Sequence, residues 1–106
     1  MHQITLKNGN LYLDSELYNT YFKSINAVAL LKQESTFLMM PVQQAGGGLL
    51  LKVKNAKGDR IVHAIEFFQQ YIAITDEIIS LDVEWNSELC ALIFSLPYSI
   101  AELPFQ

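Results

Sequence analysis

Ile79, Leu81, Val83 and Trp85 alternate with Ser80, Asp82 and Glu84. A period of two puts every second side chain on one face, so this stretch predicts a half-exposed strand. Ile4-Thr5-Leu6-Lys7 alternates in the same way and runs into Asn8-Gly9. Both turn residues tolerate positive φ, which makes this a strong hairpin signal, with Leu11-Tyr12-Leu13 as the return strand. Elsewhere the period lengthens. Leu17, Tyr18, Tyr21 and Phe22 fall at i, i+1, i+4 and i+5, behind a candidate cap at Asp14 or Ser15. This predicts a short amphipathic helix with Glu16, Asn19, Thr20 and Lys23 on its wet face. Phe67, Phe68, Tyr71 and Ile72 repeat the spacing in a helix expected from about Ala64 to Ile72. Helices this short do not hold themselves together in water, so packing of the apolar stripe must hold them.

Two fully apolar runs, Val28 to Leu31 and Phe37 to Met40, flank a polar turn at Gln33 to Thr36. They predict a hairpin buried on both faces and closed by Pro41. Leu49 to Lys54 reads as one strand, Asn55 to Asp59 as a longer loop with Gly58 at a left-handed position, and Arg60 to His63 as the return. Leu89 to Leu96 is the last expected strand, closed by Pro97.

Glu66 to Ile72 lines up with Glu16 to Phe22, and each segment follows a glycine turn, at Gly58 and Gly9. Each half reads strand, strand, helix, strand, strand. The predicted architecture is therefore α+β: one domain over 1–106, a small β-barrel-like core built from two ββαββ repeats with two short helices. The repeats span about 3–42 and 49–97, joined by a glycine-rich linker at 43–48.

The 106 residues are 51% hydrophobic and only 17% charged, against about 25% charged in a typical soluble chain. Apolar surface should remain after folding, and a self-complementary dimer contact is the expected place for it. Trp85, at a strand end, and Ile100, Leu103 and Phe105 in the tail are candidate interface residues. The net charge of −4 argues against binding phosphate backbones by bulk electrostatics. Cys90 is the only cysteine, so no internal disulfide forms, and in an apolar strand it is expected to behave as a small hydrophobe. The N-terminus lacks the regions of a signal peptide, and no apolar run approaches the ~20 residues that span a bilayer. A cytoplasmic protein without membrane contact is expected.

Lys52, Lys54, Lys57 and Arg60 form the one cationic cluster. They suit a phosphate or nucleic-acid contact, or an edge strand guarded by lysines against sheet pairing. The glycines at 46–48 lack the Gly-Lys-Ser/Thr of a phosphate loop and read as a joint. His63 with Asp59 or Glu66 is the one candidate general base, but strand geometry puts His63 opposite Arg60, and a structural or helix-capping role is expected. Neither the two histidines and one cysteine nor the spacing of Asp76, Glu77, Asp82, Glu84 and Glu88 makes a metal site, so no metal and no cofactor is expected.

The order of elements, with a glycine turn before a strand that leads into a short helix, resembles the AbrB-type swapped-hairpin fold. That group includes transition-state regulators, the MazE antitoxins and the MraZ cell-division regulators, and MraZ-like chains carry two such units in tandem. The family pattern at the turn is Gly-Arg-Ile-x-Leu-Pro. Gly9-Asn10-Leu11-Tyr12-Leu13-Asp14 lacks its arginine and proline, and Gly58-Asp59-Arg60-Ile61-Val62-His63 shifts the arginine by one and lacks the proline. The resemblance implies DNA contact by basic residues near these strands, most of which are absent. Three functions are therefore carried forward. The first is a non-catalytic binding or assembly module, not an enzyme, paired with itself or a protein partner. The second is a swapped-hairpin DNA-binding regulator using the cationic cluster, and the third is a small-molecule binder or enzyme using His63.

Overall fold

The structure, a computed structural model, describes residues 2–43 and 47–97. Its elements run β1 (His2–Lys7), β2 (Asn10–Leu13), α1 (Ser15–Tyr21), β3 (Ala27–Gln33), β4 (Thr36–Val42), β5 (Leu49–Leu50), β6 (Lys52–Val53), β7 (Arg60–His63), α2 (Ile65–Phe68), β8 (Ile79–Asn86) and β9 (Ala91–Phe94). The sheet order is β5-β3-β4-β9-β8-β1-β2-β7-β6, and each neighbouring pair is antiparallel. The two ends of that order, β5 and β6, are separated in the chain by Leu51 alone. The segment from Leu49 to Val53 thus pairs with β3 on one side and β7 on the other, which bends the sheet into a nearly closed barrel with two short helices. Closure removes the free edges through which sheets aggregate.

The alternating positions fill the interior. Ile4, Leu6, Leu11, Leu13, Leu81 and Val83 are all buried. Among the described residues no polar or charged residue is buried, so the side chains of the core contribute chiefly through buried apolar area. The Asn8-Gly9 turn has positive φ at both residues (55° and 79°), as a two-residue hairpin matched to strand twist requires. Asp14 caps α1, its carboxylate accepting from the Leu17 amide at 2.8 Å. Of the α1 stripe, Leu17, Tyr18 and Phe22 are buried, and the Tyr18 hydroxyl donates to the Ile25 carbonyl at 2.9 Å. The regular part of α2 is shorter than the expected Ala64–Ile72, covering Ile65–Phe68, although turns carry the chain on to Ile72. Phe68 and Ile72 still reach the core.

The structure corrects three strand expectations. Leu49 to Lys54 is not one strand: it breaks at Leu51, whose side chain is buried and whose amide donates to the Asn26 carbonyl at 2.8 Å. The break lets one stretch of chain serve both sides of the barrel seam. Pro41 does not close β4 but pairs within it, opposite Val28. Because β9 pairs only with Phe37 to Met39, β4 is an edge strand at Pro41, where a missing N–H is tolerated. Cys90 is not in a strand. It lies exposed in the β8–β9 turn with φ 51°, because β9 begins only at Ala91.

Candidate functional site

The cationic cluster sits on the β6–β7 hairpin, and the structure ties most of it down. Asn55 holds the loop, its side-chain oxygen accepting from the amides of Lys57 (3.1 Å) and Asp59 (3.2 Å). Asp59 accepts from the Asn55 side chain at 2.9 Å with one oxygen and from the Ser15 amide at 2.8 Å with the other. The loop is thereby fastened to the first residue of α1. These bonds, the Asn55 side chain first and the Ser15 amide second, hold the Asp59 carboxyl below the usual carboxylate range, and Lys57 and Lys54 add to the effect. The Arg60 guanidinium lies 3.9 Å from the centre of the Tyr18 ring and donates to the Gly58 carbonyl. The Lys54 ammonium lies 5.2 Å from the centre of the Tyr12 ring. Both cations thus lie over aromatic faces of the same chain, Arg60 half-buried and Lys54 still exposed. Lys52 and Lys57 stand exposed, and Lys52 and Lys54 do not share a strand, since β6 ends at Val53.

His63 is exposed at the end of β7, on the face opposite Arg60. It does not cap α2, whose cap position is Ala64 with no side-chain hydrogen bond. Asp59 commits both carboxylate oxygens to Ser15 and Asn55, so neither orients the His63 imidazole. Among the described residues no three His, Cys, Asp or Glu side chains come together as a metal site would need. The larger concavities are open. A groove of about 550 Å³ lies along β8 and the end of β9, lined by Asp82, Glu84, Ile93 and Leu96. Another of about 580 Å³ lies between β3 and α2, lined by Ala29, Leu49, Glu66, Phe67 and Gln70. Neither gathers His63 with a carboxylate partner.

Comparison with family models, with curated proteins and with solved structures returned no match.

Trp85 is half-buried in the barrel wall. Its ring stacks on Tyr21 at 5.1 Å between centroids and meets Phe22 edge-on at 6.3 Å. His2 in turn packs edge-on against Tyr21 at 5.2 Å. Ile100, Leu103 and Phe105 lie outside the described residues.

A surface that no single residue marks is the outside of β5, β3, β4 and β9. Val28 is buried with the core, and Leu30 packs against it. The alternate residues Ala27, Ala29 and Leu31 therefore point outward, and the register places Val42, Met40 and Leu38 beside them and Ile93 beside Leu38. Leu50 joins the row opposite Ala27. The β3–β4 hairpin is therefore not buried on both faces, as its two apolar runs led one to expect: Leu31 is 51% exposed and the neighbouring Leu50 59%, while Leu38, between Leu31 and Ile93, is buried. The outward positions of β8 and β1 carry Ser80, Asp82, Glu84, Gln3, Thr5 and Lys7 instead. The signal was present in the sequence: β3 and β4 are apolar at both parities, and a barrel wall has only one inside.

Proposed function

We propose that this chain is a non-catalytic binding and assembly module that pairs with a second copy of itself. The observation that carries the reading is the uncharged, apolar outside of β5, β3, β4 and β9, on a chain whose sheet closes nearly completely. The placement of the candidate chemical groups supports it: Asp59 is bonded to Ser15 and Asn55, His63 is exposed on the face opposite Arg60, and Cys90 is exposed in a turn. Light scattering over a concentration series tests it. The expected result is a mass that rises from 12.0 kDa toward twice that value, and a monomer up to about 1 mM refutes it. A nucleic-acid role would rest on the exposed Lys52, Lys54 and Lys57, because Arg60 lies against Tyr18. No shift of random duplex DNA is expected at tens of micromolar protein in low salt.

We infer also that the two halves are copies of one unit. The pairing supports this, because exchanging the halves maps it onto itself. β1 with β8 corresponds to β5 with β3, and β3–β4 to β8–β9. Following the register residue by residue, Leu11 corresponds to Val62, and these two face each other where β2 meets β7. Leu38 corresponds to Ile93, and these two face each other where β4 meets β9. Self-pairing at both crossings is what a two-fold axis through the barrel requires. The turns agree. A Cβ on Gly9 would meet Ile65 at the start of α2, and one on Gly58 would meet Ser15 at the start of α1. The aromatic ends agree in place though not in chemistry: Tyr21 stacks on Trp85, while its counterpart Tyr71 has Lys32 over its ring at 5.6 Å.

A further inference from the structure

We propose that the second copy docks face to face on the outside of β5, β3, β4 and β9, with the Lys52 corner of one copy over the Glu84 corner of the other. This rests on the assembly reading above and adds the surface and its geometry. Three observations support it. First, the outward positions of this face carry no ionisable side chain among the described residues: Leu50, Ala29, Leu31, Met40 and Ile93 lie in one continuous register around Ala27 and Leu38, which are buried. Two chains of net charge −4 can approach there without bringing carboxylates together.

Second, two charges that border the face are opposite in sign and diagonal in position, while the exposed Glu34 and Glu88 stand in the β3–β4 and β8–β9 turns at its ends. Lys52 follows Leu50, beyond the Ala27 end of β3, and is exposed. Glu84 pairs with Ile93, which is level with Leu38 and so with the Leu31 end of β3. A two-fold axis lying in the face, across the line joining these corners, sets each Lys52 over the Glu84 of the other copy. An isologous contact needs a patch that matches its own rotated image, and an uncharged centre with opposite charges at opposite corners does so.

Third, the dimensions set the strength. Four strands spaced by about 4.8 Å, with about 3.3 Å per residue, give a plan on the order of 400 Å². Stable interfaces bury about 800 Å² on each partner, so a reversible, micromolar or weaker dimer is expected.

The experiment is sedimentation velocity of the full chain from ~10 µM to ~1 mM, the range that brackets a contact of this size. It compares the wild type with Leu31→Glu, Leu50→Glu, Lys52→Glu, Glu84→Lys and the double variant Lys52→Glu/Glu84→Lys. Leu31 and Leu50 are more than half exposed, so their variants should keep the fold, and circular dichroism melts check this. Each leucine variant should weaken association at least ~10-fold, because a carboxylate would be buried in the contact. Each single charge variant should weaken it about 2–5-fold, and the double variant should restore it, as rim ion pairs do. A monomer throughout the range overturns both the assembly reading and this face. A dimer indifferent to Leu31→Glu and Leu50→Glu overturns the face and leaves the assembly reading standing. Sensitivity to the leucines without rescue by the double variant overturns the two-fold arrangement.

Discussion

Phe37 on β4 packs against four aromatic rings from the other half of the chain, and its removal should be felt across the molecule. The side chain is 3% exposed on β4. Its ring centre lies 6.0 Å from that of Phe67, 5.7 Å from Phe68, 5.9 Å from Tyr71 and 5.7 Å from Phe94. All four partners come from beyond residue 47. Phe→Ala in a packed core costs about 3–5 kcal/mol, the lost transfer free energy plus the cavity left behind. Four ring neighbours that cannot collapse into one gap place Phe37→Ala toward the upper end of that range. Phe37→Leu fills most of the volume and loses only the ring–ring geometry, so about 1–2 kcal/mol is expected. Urea unfolding followed by far-UV circular dichroism gives both values, and the slope with denaturant should stay at the wild-type value if only stability changed. Domains of this size hold about 5–15 kcal/mol in total, so Phe37→Ala should shift the midpoint far to low denaturant. A loss below about 1 kcal/mol, or equal losses for the two variants, would refute the claim that this ring cluster clamps the halves together.

The two turn glycines should respond differently to alanine. Gly9→Ala puts a Cβ 2.8 Å from the Ile65 Cα at φ +79°, so it should cost at least about 2 kcal/mol, whereas Gly58→Ala, with φ +94° but a nearest neighbour at 3.6 Å, should cost about 1 kcal/mol in the same denaturation assay. Equal losses would mean that the Gly9 turn does not press on α2. Asp59 is held ionised in the folded chain, so its contribution is present above the ordinary carboxylate pKa of about 4 and is lost as pH falls through its lowered folded value. The melting temperature of Asp59→Asn should therefore lie below wild type near neutral pH and converge with it in acid; a gap that does not change with pH would contradict the Asp59–Ser15 tether. Cys90 should react completely with a thiol reagent in native buffer, and Cys90→Gly should leave stability equal or up to about 1 kcal/mol higher by relieving φ 51°. A protected thiol would place Cys90 back in the sheet.

The elements with strong local signals were legible in advance. Asn8-Gly9 dictates its own turn, Asp14 its own cap, and the alternation from Ile79 to Trp85 its own strand. The failures have a shared physical origin. At Leu51 and Pro41 the outcome depends on which strands lie beside the chain, and a single sequence does not carry neighbours. Three consecutive leucines gave no hint that the middle one turns inward while the chain changes partners. The apolar residues around Cys90 predict a strand there, but the four-residue turn between Asn86 and Ala91 needs a left-handed residue at its end. The aromatic partners of the cationic cluster were hidden for the same reason: Tyr12 and Tyr18 are forty or more positions away from Lys54 and Arg60.

The apolar outer face has a built-in control within the chain. With the halves taken as copies, the register that equates Val28 with Leu81 and Leu30 with Val83 also equates Ala27, Ala29 and Leu31 with Ser80, Asp82 and Glu84. The inward sets are interchangeable hydrophobes, as one shared core demands. The outward sets differ in kind. A barrel wall of this geometry therefore folds with carboxylates on its outside, as β8 does, and folding alone does not call for leucine and alanine there. Retaining them on β3 adds aggregation risk that the neighbouring strands avoid with polar residues. A selective benefit has to offset that risk, and shielding the face against another molecule supplies one.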